Sequence, residues 1–146
     1  MGRLTIGVEG PEVESVMGVS QELIKGTVVP VVLALLKDRP RYGYEMVQLV
    51  NARTNGALDW SEGTLYPVLH RLEADGLVSA EWRERPKADA ESGAAPPTGG
   101  ARRRRYYTLP RAGRRELDRR ATEWRAFTAA VGEFLGRALP SGVARA

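Results

Sequence analysis

The densest chemistry in the chain is a run of four arginines, Arg102, Arg103, Arg104 and Arg105. Each guanidinium offers a planar fork of N–H donors that matches a phosphate, so adjacent copies suit a polyanion. A solvated charge run is the plainer alternative. The net charge of +4 is unevenly spread: residues 1–101 carry 10 basic and 14 acidic side chains, whereas residues 102–146 carry 12 arginines and 4 acids. The positive field is therefore concentrated late in the chain, where it can attract nucleic acid.

Other chemistries find few candidates. There is no cysteine, which removes disulfides, thiolate metal sites and thiol redox sensing, and His70 is the single histidine. No carboxylate cluster has metal-loop spacing, so neither a metal nor another cofactor is expected. Glu62 and His70 lie eight residues apart on one helix, too far for an acid–base dyad, and no nucleophile, phosphate loop or metal completes a catalytic set. An enzyme is not expected. No apolar run approaches the roughly 20 residues that cross a bilayer. The segment from Met1 to Met17 carries Glu9, Glu12 and Glu14 and lacks a basic-then-apolar layout, so the expected location is the cytoplasm, with no membrane partner.

The elements that position the arginines can be read from periodicity. Residues 1–22 mix glycines with scattered apolars and read as a loosely ordered arm. Val28, Val32, Leu35 and Leu36 follow helical spacing, with Val29, Val31 and Leu33 making the other side apolar, so a first helix over Val28–Lys37 should be buried on two faces. Thr27 is its expected N-cap, which places Pro30 in the tolerant first turn. A second helix over Gly43–Arg53 presents Met46, Val47, Leu49 and Val50, and Asn55-Gly56 ends it. A third opens after Ser61, buries Leu65, Val68, Leu69 and Leu72, and stops at Gly76, with a bend possible at Pro67. Two strands follow: Leu77–Glu84, with Val78, Ala80 and Trp82 on one side, and Arg104–Leu109, with Tyr107 and Leu109 opposite Tyr106. Between them residues 86–101 are small, Gly- and Pro-rich and read as a long loop. From Arg111 to about Ala138 the helical period returns, and Leu117, Ala121, Trp124, Thr128, Val131 and Leu135 alternate in steps of four and three. That is a coiled-coil seam.

The fold class is thus mainly α with a small two-stranded antiparallel wing: a winged helix-turn-helix over residues 23–109, a C-terminal dimerisation helix over 110–138 and a tail over 139–146. In this architecture the third helix enters the major groove and the wing reaches the backbone beside it. The outer face of the third helix is narrow, with Gly63, Tyr66, Pro67 and His70 turned from the core near its N-terminus; there Ser61 and Thr64 offer capping oxygens and are further candidate DNA contacts, and free N–H groups favour phosphate. Tyr42, ahead of the second helix, is similarly placed; for Tyr42 and Tyr66 packing against the core is an equal alternative. The terminal helix, about 42 Å at 1.5 Å per residue, is longer than one small domain can cover. Its seam and the two-faced first helix point to a homodimer, with Leu117, Ala121, Trp124, Phe127, Val131 and Leu135 at the interface, and so to a palindromic operator in double-stranded DNA with half-sites about one helical turn apart.

The chain resembles the PadR family of transcriptional regulators. The resemblance rests on Leu23-Ile24-Lys25-Gly26-Thr27, on Pro40-Arg41-Tyr42-Gly43-Tyr44-Glu45 and above all on the run from Ser61 to Leu77, SEGTLYPVLHRLEADGL. Arg105-Tyr106-Tyr107-Thr108-Leu109 and Trp124-Arg125-Ala126-Phe127 extend it. It implies a dimeric winged-helix repressor of the subgroup with one C-terminal helix, which releases its operator on binding a small effector. It also implies that Trp124, on the dimer-facing seam, is a candidate contact for a flat hydrophobic effector; interface packing is the alternative. Three features depart from the family pattern: Pro30 in the first helix, Pro110 where a Thr usually caps the last one, and the long wing loop. A winged-helix protein-interaction module without specific DNA binding is the rival reading, and the arginine run argues against it.

Overall fold

The computed structural model describes residues 18–86 and 103–139. Residues 1–17 of the predicted arm, 87–101 of the predicted wing loop, Arg102 and residues 140–146 of the predicted tail lie outside the described residues.

The chain begins with a short helix that the sequence pattern does not announce, α1 (Gln21–Lys25), inside what reads as arm and domain edge. The Thr27 backbone N–H and its hydroxyl both donate to the Ile24 carbonyl, each at 2.8 Å. Thr27 therefore closes α1, and its side chain does not cap α2 (Val28–Asp38) as expected. Pro30 is the third residue of α2, where the missing N–H has no intrahelical acceptor to lose. Val28, Val32, Leu33, Leu35 and Leu36 are buried, and α2 packs on the later helices and the sheet. Of the second face, Leu33 is buried within the chain, while Val29 and Val31 are half-buried.

After Pro40 comes a two-residue strand, β1 (Arg41–Tyr42), then α3 (Gly43–Arg53), which buries Met46, Val47 and Val50. Arg41 is nearly inaccessible, yet every nitrogen has an anionic or carbonyl partner: Nε donates to Leu35 O at 2.9 Å, one terminal nitrogen faces Glu45 at 3.2 Å and the other lies 3.8 Å from Asp38. Burying the charge is affordable only because it is paired in this way. Glu45 also accepts from the Tyr42 backbone N–H at 3.3 Å, which ties the strand to the first turn of α3.

The turn after α3 uses left-handed backbone at Asn55, Gly56 and Asp59. It is pinned by the Asn51 carboxamide, which donates to Trp60 O at 2.9 Å and accepts from Trp60 N at 2.8 Å. Helix α4 (Glu62–Ala74) follows, with Ser61 as a true N-cap whose hydroxyl accepts from Thr64 N at 3.2 Å. It buries Leu65, Leu69 and Leu72, while Val68 is half-buried. Gly76, at φ +77°, donates to Glu73 O and Leu77 N donates to Leu72 O, so the helix ends in the left-handed cap expected at this glycine.

Strands β2 (Ser79–Glu84) and β3 (Arg103–Thr108) pair antiparallel with Trp82 opposite Arg105 and Ala80 opposite Tyr107. β1 adds to the other edge of β3, so the sheet has three strands in the order β1-β3-β2, where two were expected. Tyr107 and Leu109 are buried as their alternation predicts, but Trp82 is 55% exposed: the hairpin has left the core by that point. Helix α5 (Arg111–Ala138) starts at Pro110, which occupies the N-cap position, one residue before the helix. Its first turns press against the core, with Gly113 over the Leu77 carbonyl and Leu117 buried. Leu117, expected at the head of the dimer seam, is packed into the core of its own chain. Among the described residues no helix is long and apolar enough to cross a membrane.

Candidate nucleic-acid interface

The sequence-predicted contacts among the described residues sit on the first turns of α4, at the start of α3 and on β3. The Ser61 cap orients the first turn of α4 so that Ser61, Glu62, Gly63, Pro67 and His70 are exposed, while Thr64 and Tyr66 are half-buried. Thr64 Oγ1 lies 3.2 Å from Ser61 Oγ, so the two hydroxyls are committed first to the cap and to each other. Glu62 is the acid at this tip, where the helix dipole favours it.

Tyr66 is not simply outward. A Cβ built on Gly43 would come within 2.3 Å of the Tyr66 hydroxyl, so the tyrosine lies directly on the first residue of α3, and its ring packs on the core. Burial, with smaller effects of Glu62 and Tyr107, raises the hydroxyl above its ordinary pKa, which keeps it protonated and able to donate. His70 packs beside it with ring centroids 6.3 Å apart. Gly43 has a part that periodicity does not reveal: it reads as a helix start, and its lack of a side chain is what seats Tyr66.

The contact chain continues into the wing. Tyr42 precedes Gly43, and its ring lies 3.9 Å beneath the Arg104 guanidinium carbon and 5.5 Å from the Tyr106 ring, edge to face. Arg83 in turn stands 5.4 Å over Tyr106. Strand alternation sends Arg105 to the opposite face, where it meets Glu73 of α4 at 2.7 Å and lies 5.8 Å from the Trp82 ring. The arginine run is thus sorted by the pleat: Arg103 is exposed at the described end of β3, Arg104 stacks on Tyr42, and Arg105 is bound to α4. Arg102 lies outside the described residues.

The other candidate surface is on α5. Beyond Leu117 the helix leaves the core: Ala121 is exposed, Trp124 is 50% and Phe127 54% exposed, Val131 is half-buried and Leu135 exposed. Trp124 and Phe127 face each other at 5.8 Å. Phe134, absent from the four-three seam, is the most exposed of the large apolar side chains in this stretch at 76%. Its single-step offset from Leu135 hides it from the pattern.

The chain is similar to known transcriptional regulators in sequence and in fold. The family described as transcriptional regulator PadR-like matches residues 32–119. An uncharacterized protein of Lysinibacillus sphaericus is 30% identical over 106 residues, covering 73% of this chain and 85% of that protein. A transcriptional regulator of Mycobacterium tuberculosis is 46% identical over 65 residues, 43% of this chain and 48% of its own. Among solved structures, a PadR family transcriptional regulator from Eggerthella lenta superposes with a TM-score of 0.60 at 32% identity, covering 78% of this chain and 86% of that one. A transcriptional regulator from Clostridium thermocellum gives 0.65 at 25% identity, covering 80% and 97%.

Proposed function

The chain belongs to the PadR-like family of transcriptional regulators and is a DNA-binding regulator, not an enzyme; from that premise we propose that it acts in the cytoplasm as a homodimeric repressor of a palindromic operator. The observation that supports this reading best is the continuous contact chain from Tyr66 through Gly43, Tyr42 and Arg104, which ties an exposed helix tip to a basic wing. Residues 23–109 form the DNA-binding unit and residues 110–138 the dimerisation helix.

In this reading α4 enters the major groove. Pro67 and His70 approach base edges, and Ser61, Thr64 and the α4 N-terminus meet phosphate together with the Tyr66 hydroxyl and Tyr42. Arg102, Arg103, Arg104 and Arg105 supply the wing's positive field. Arg103 carries the direct phosphate contact, because Arg104 and Arg105 already have partners within the chain. A flat hydrophobic effector bound against Trp124 and its partner copy would alter the spacing of the two heads and release the operator.

The test is equilibrium binding of the full chain to the duplex upstream of its own coding sequence, across a salt series. Arg103→Ala should flatten the slope of log affinity against log salt by about 0.9. His70→Ala should instead change the ranking among operator variants, with the salt slope kept. A protein that binds no upstream duplex at low salt, or an Arg103→Ala slope equal to wild type, would remove the reading of helix tip and wing.

A further inference from the structure

We infer that Glu73 is a positioning residue for DNA binding: through its ion pair with Arg105 it fixes the wing against the recognition helix, so that helix tip and wing meet the duplex as one rigid unit. The inference deepens the proposed function and rests on it.

The pair joins residues 32 positions apart, Arg105 Nη2 to Glu73 Oε2 at 2.7 Å, and so bridges two elements that each carry part of the interface. Glu73 stands one turn beyond His70 on α4, and Arg105 stands two residues from the exposed Arg103 on β3. Movement of this anchor therefore changes the distance between a base-reading position and a phosphate contact. The anchor also has neighbours that hold it in place. Arg105 pairs across the sheet with Trp82, whose ring is 5.8 Å from the guanidinium, and the ring of the buried Tyr107 is 6.0 Å away. The hydrogen bond that Arg105 donates to Glu73 raises the guanidinium's pKa above its already high ordinary value. Both side chains are about one-third exposed, at 38% and 32%. Such a pair contributes little to the stability of the fold, which leaves orientation as its effect.

The sign of one substitution decides. Glu73→Gln removes an acid from a surface that faces a polyanion, so electrostatics alone would tighten binding. Loss of a strut should weaken it, by roughly two- to fivefold, the range that a partly exposed ion pair can hold. Arg105→Gln should weaken binding similarly and keep the wild-type salt slope. The double variant should be no weaker than the worse single one, because both break the same link. The exchanged pair, Glu73→Arg with Arg105→Glu, should regain most of the wild-type affinity. Thermal melts of all four should match wild type, which separates orientation from unfolding. Tighter or unchanged binding by Glu73→Gln overturns the inference, as does a slope lowered by about 0.9 in Arg105→Gln, which would make Arg105 a phosphate ligand. If Arg103→Ala still flattens the slope in that case, the wing reading stands and the strut alone falls; if Arg103→Ala does not, both fall.

Discussion

At Gly113 the first turn of α5 approaches the main chain just beyond α4 more closely than any side chain would allow. A Cβ there would stand 2.1 Å from the Leu77 carbonyl oxygen and 2.5 Å from a Leu109 methyl. The methyl can shift, but the carbonyl is main chain at the exit of the α4 cap and cannot. Gly113→Ala should therefore destabilise the fold by about 1–3 kcal/mol through overpacking, measured as a lower denaturant midpoint with an unchanged m-value. An unaffected midpoint would mean that the first turn of α5 can lift away from the sheet. Gly43 presents the opposite case. Its intruding neighbour is the end of the Tyr66 side chain, which can swing. A substitution there disturbs the interface more than the fold.

At the level of elements, the first half of α5 is laced by charge. Glu116 accepts from Arg119 and from Arg120, at 2.8 and 2.6 Å, and these bonds hold its carboxyl down at about 2 against an ordinary 4.5. A carboxyl depressed in the folded state stabilises it above the unfolded pKa, and that contribution fades as pH falls toward the folded value. The melting-temperature gap between wild type and Glu116→Gln should thus be widest near neutral pH and close as the pH drops from 4.5 toward 2. A gap that holds constant through that range would show that the arginines do not depend on the charge. The longer helices were legible in the sequence because each repeats an apolar period long enough to read, and the Ser61 and Gly76 caps mark the ends of α4; in the wing, alternation held for Tyr107 and Leu109 but not for Trp82, which lies beyond the core. What was not legible has particular causes. β1 is two residues long and exists only because β3 pairs with it, and α1 is a single turn or so. Leu117 shares the spacing of a seam, yet period alone cannot say whether the surface it meets belongs to its own chain or to another. Of the arginines, sequence places all four on the wing, but only the pleat and Glu73 decide which are free to face outward.

For the whole molecule, the outer portion of α5 poses the largest energetic question. Trp124, Phe127, Val131, Phe134 and Leu135 fall at helical steps along one side, and of these the four large side chains are at least half exposed. Each such side chain would gain roughly 1.5–3 kcal/mol on full burial, which makes a lone helix of this kind costly in water. The proposed twofold pairing covers it without asking anything of the core, since Leu117 is the last residue of α5 that the core claims. Val131→Glu with Leu135→Glu places charges in the middle of that pairing and touches no buried core position, so the variant should fold with the wild-type helix content but sediment as a monomer. A single head then binds one half-site without the effective concentration that its twin provides, and affinity for the intact operator should fall by at least ~100-fold, while affinity for an isolated half-site changes little. A monomeric variant that held the intact operator as tightly as wild type would show that the two heads do not act together. A wild type that sedimented as a monomer at working concentrations would show that α5 is covered by something other than its own copy.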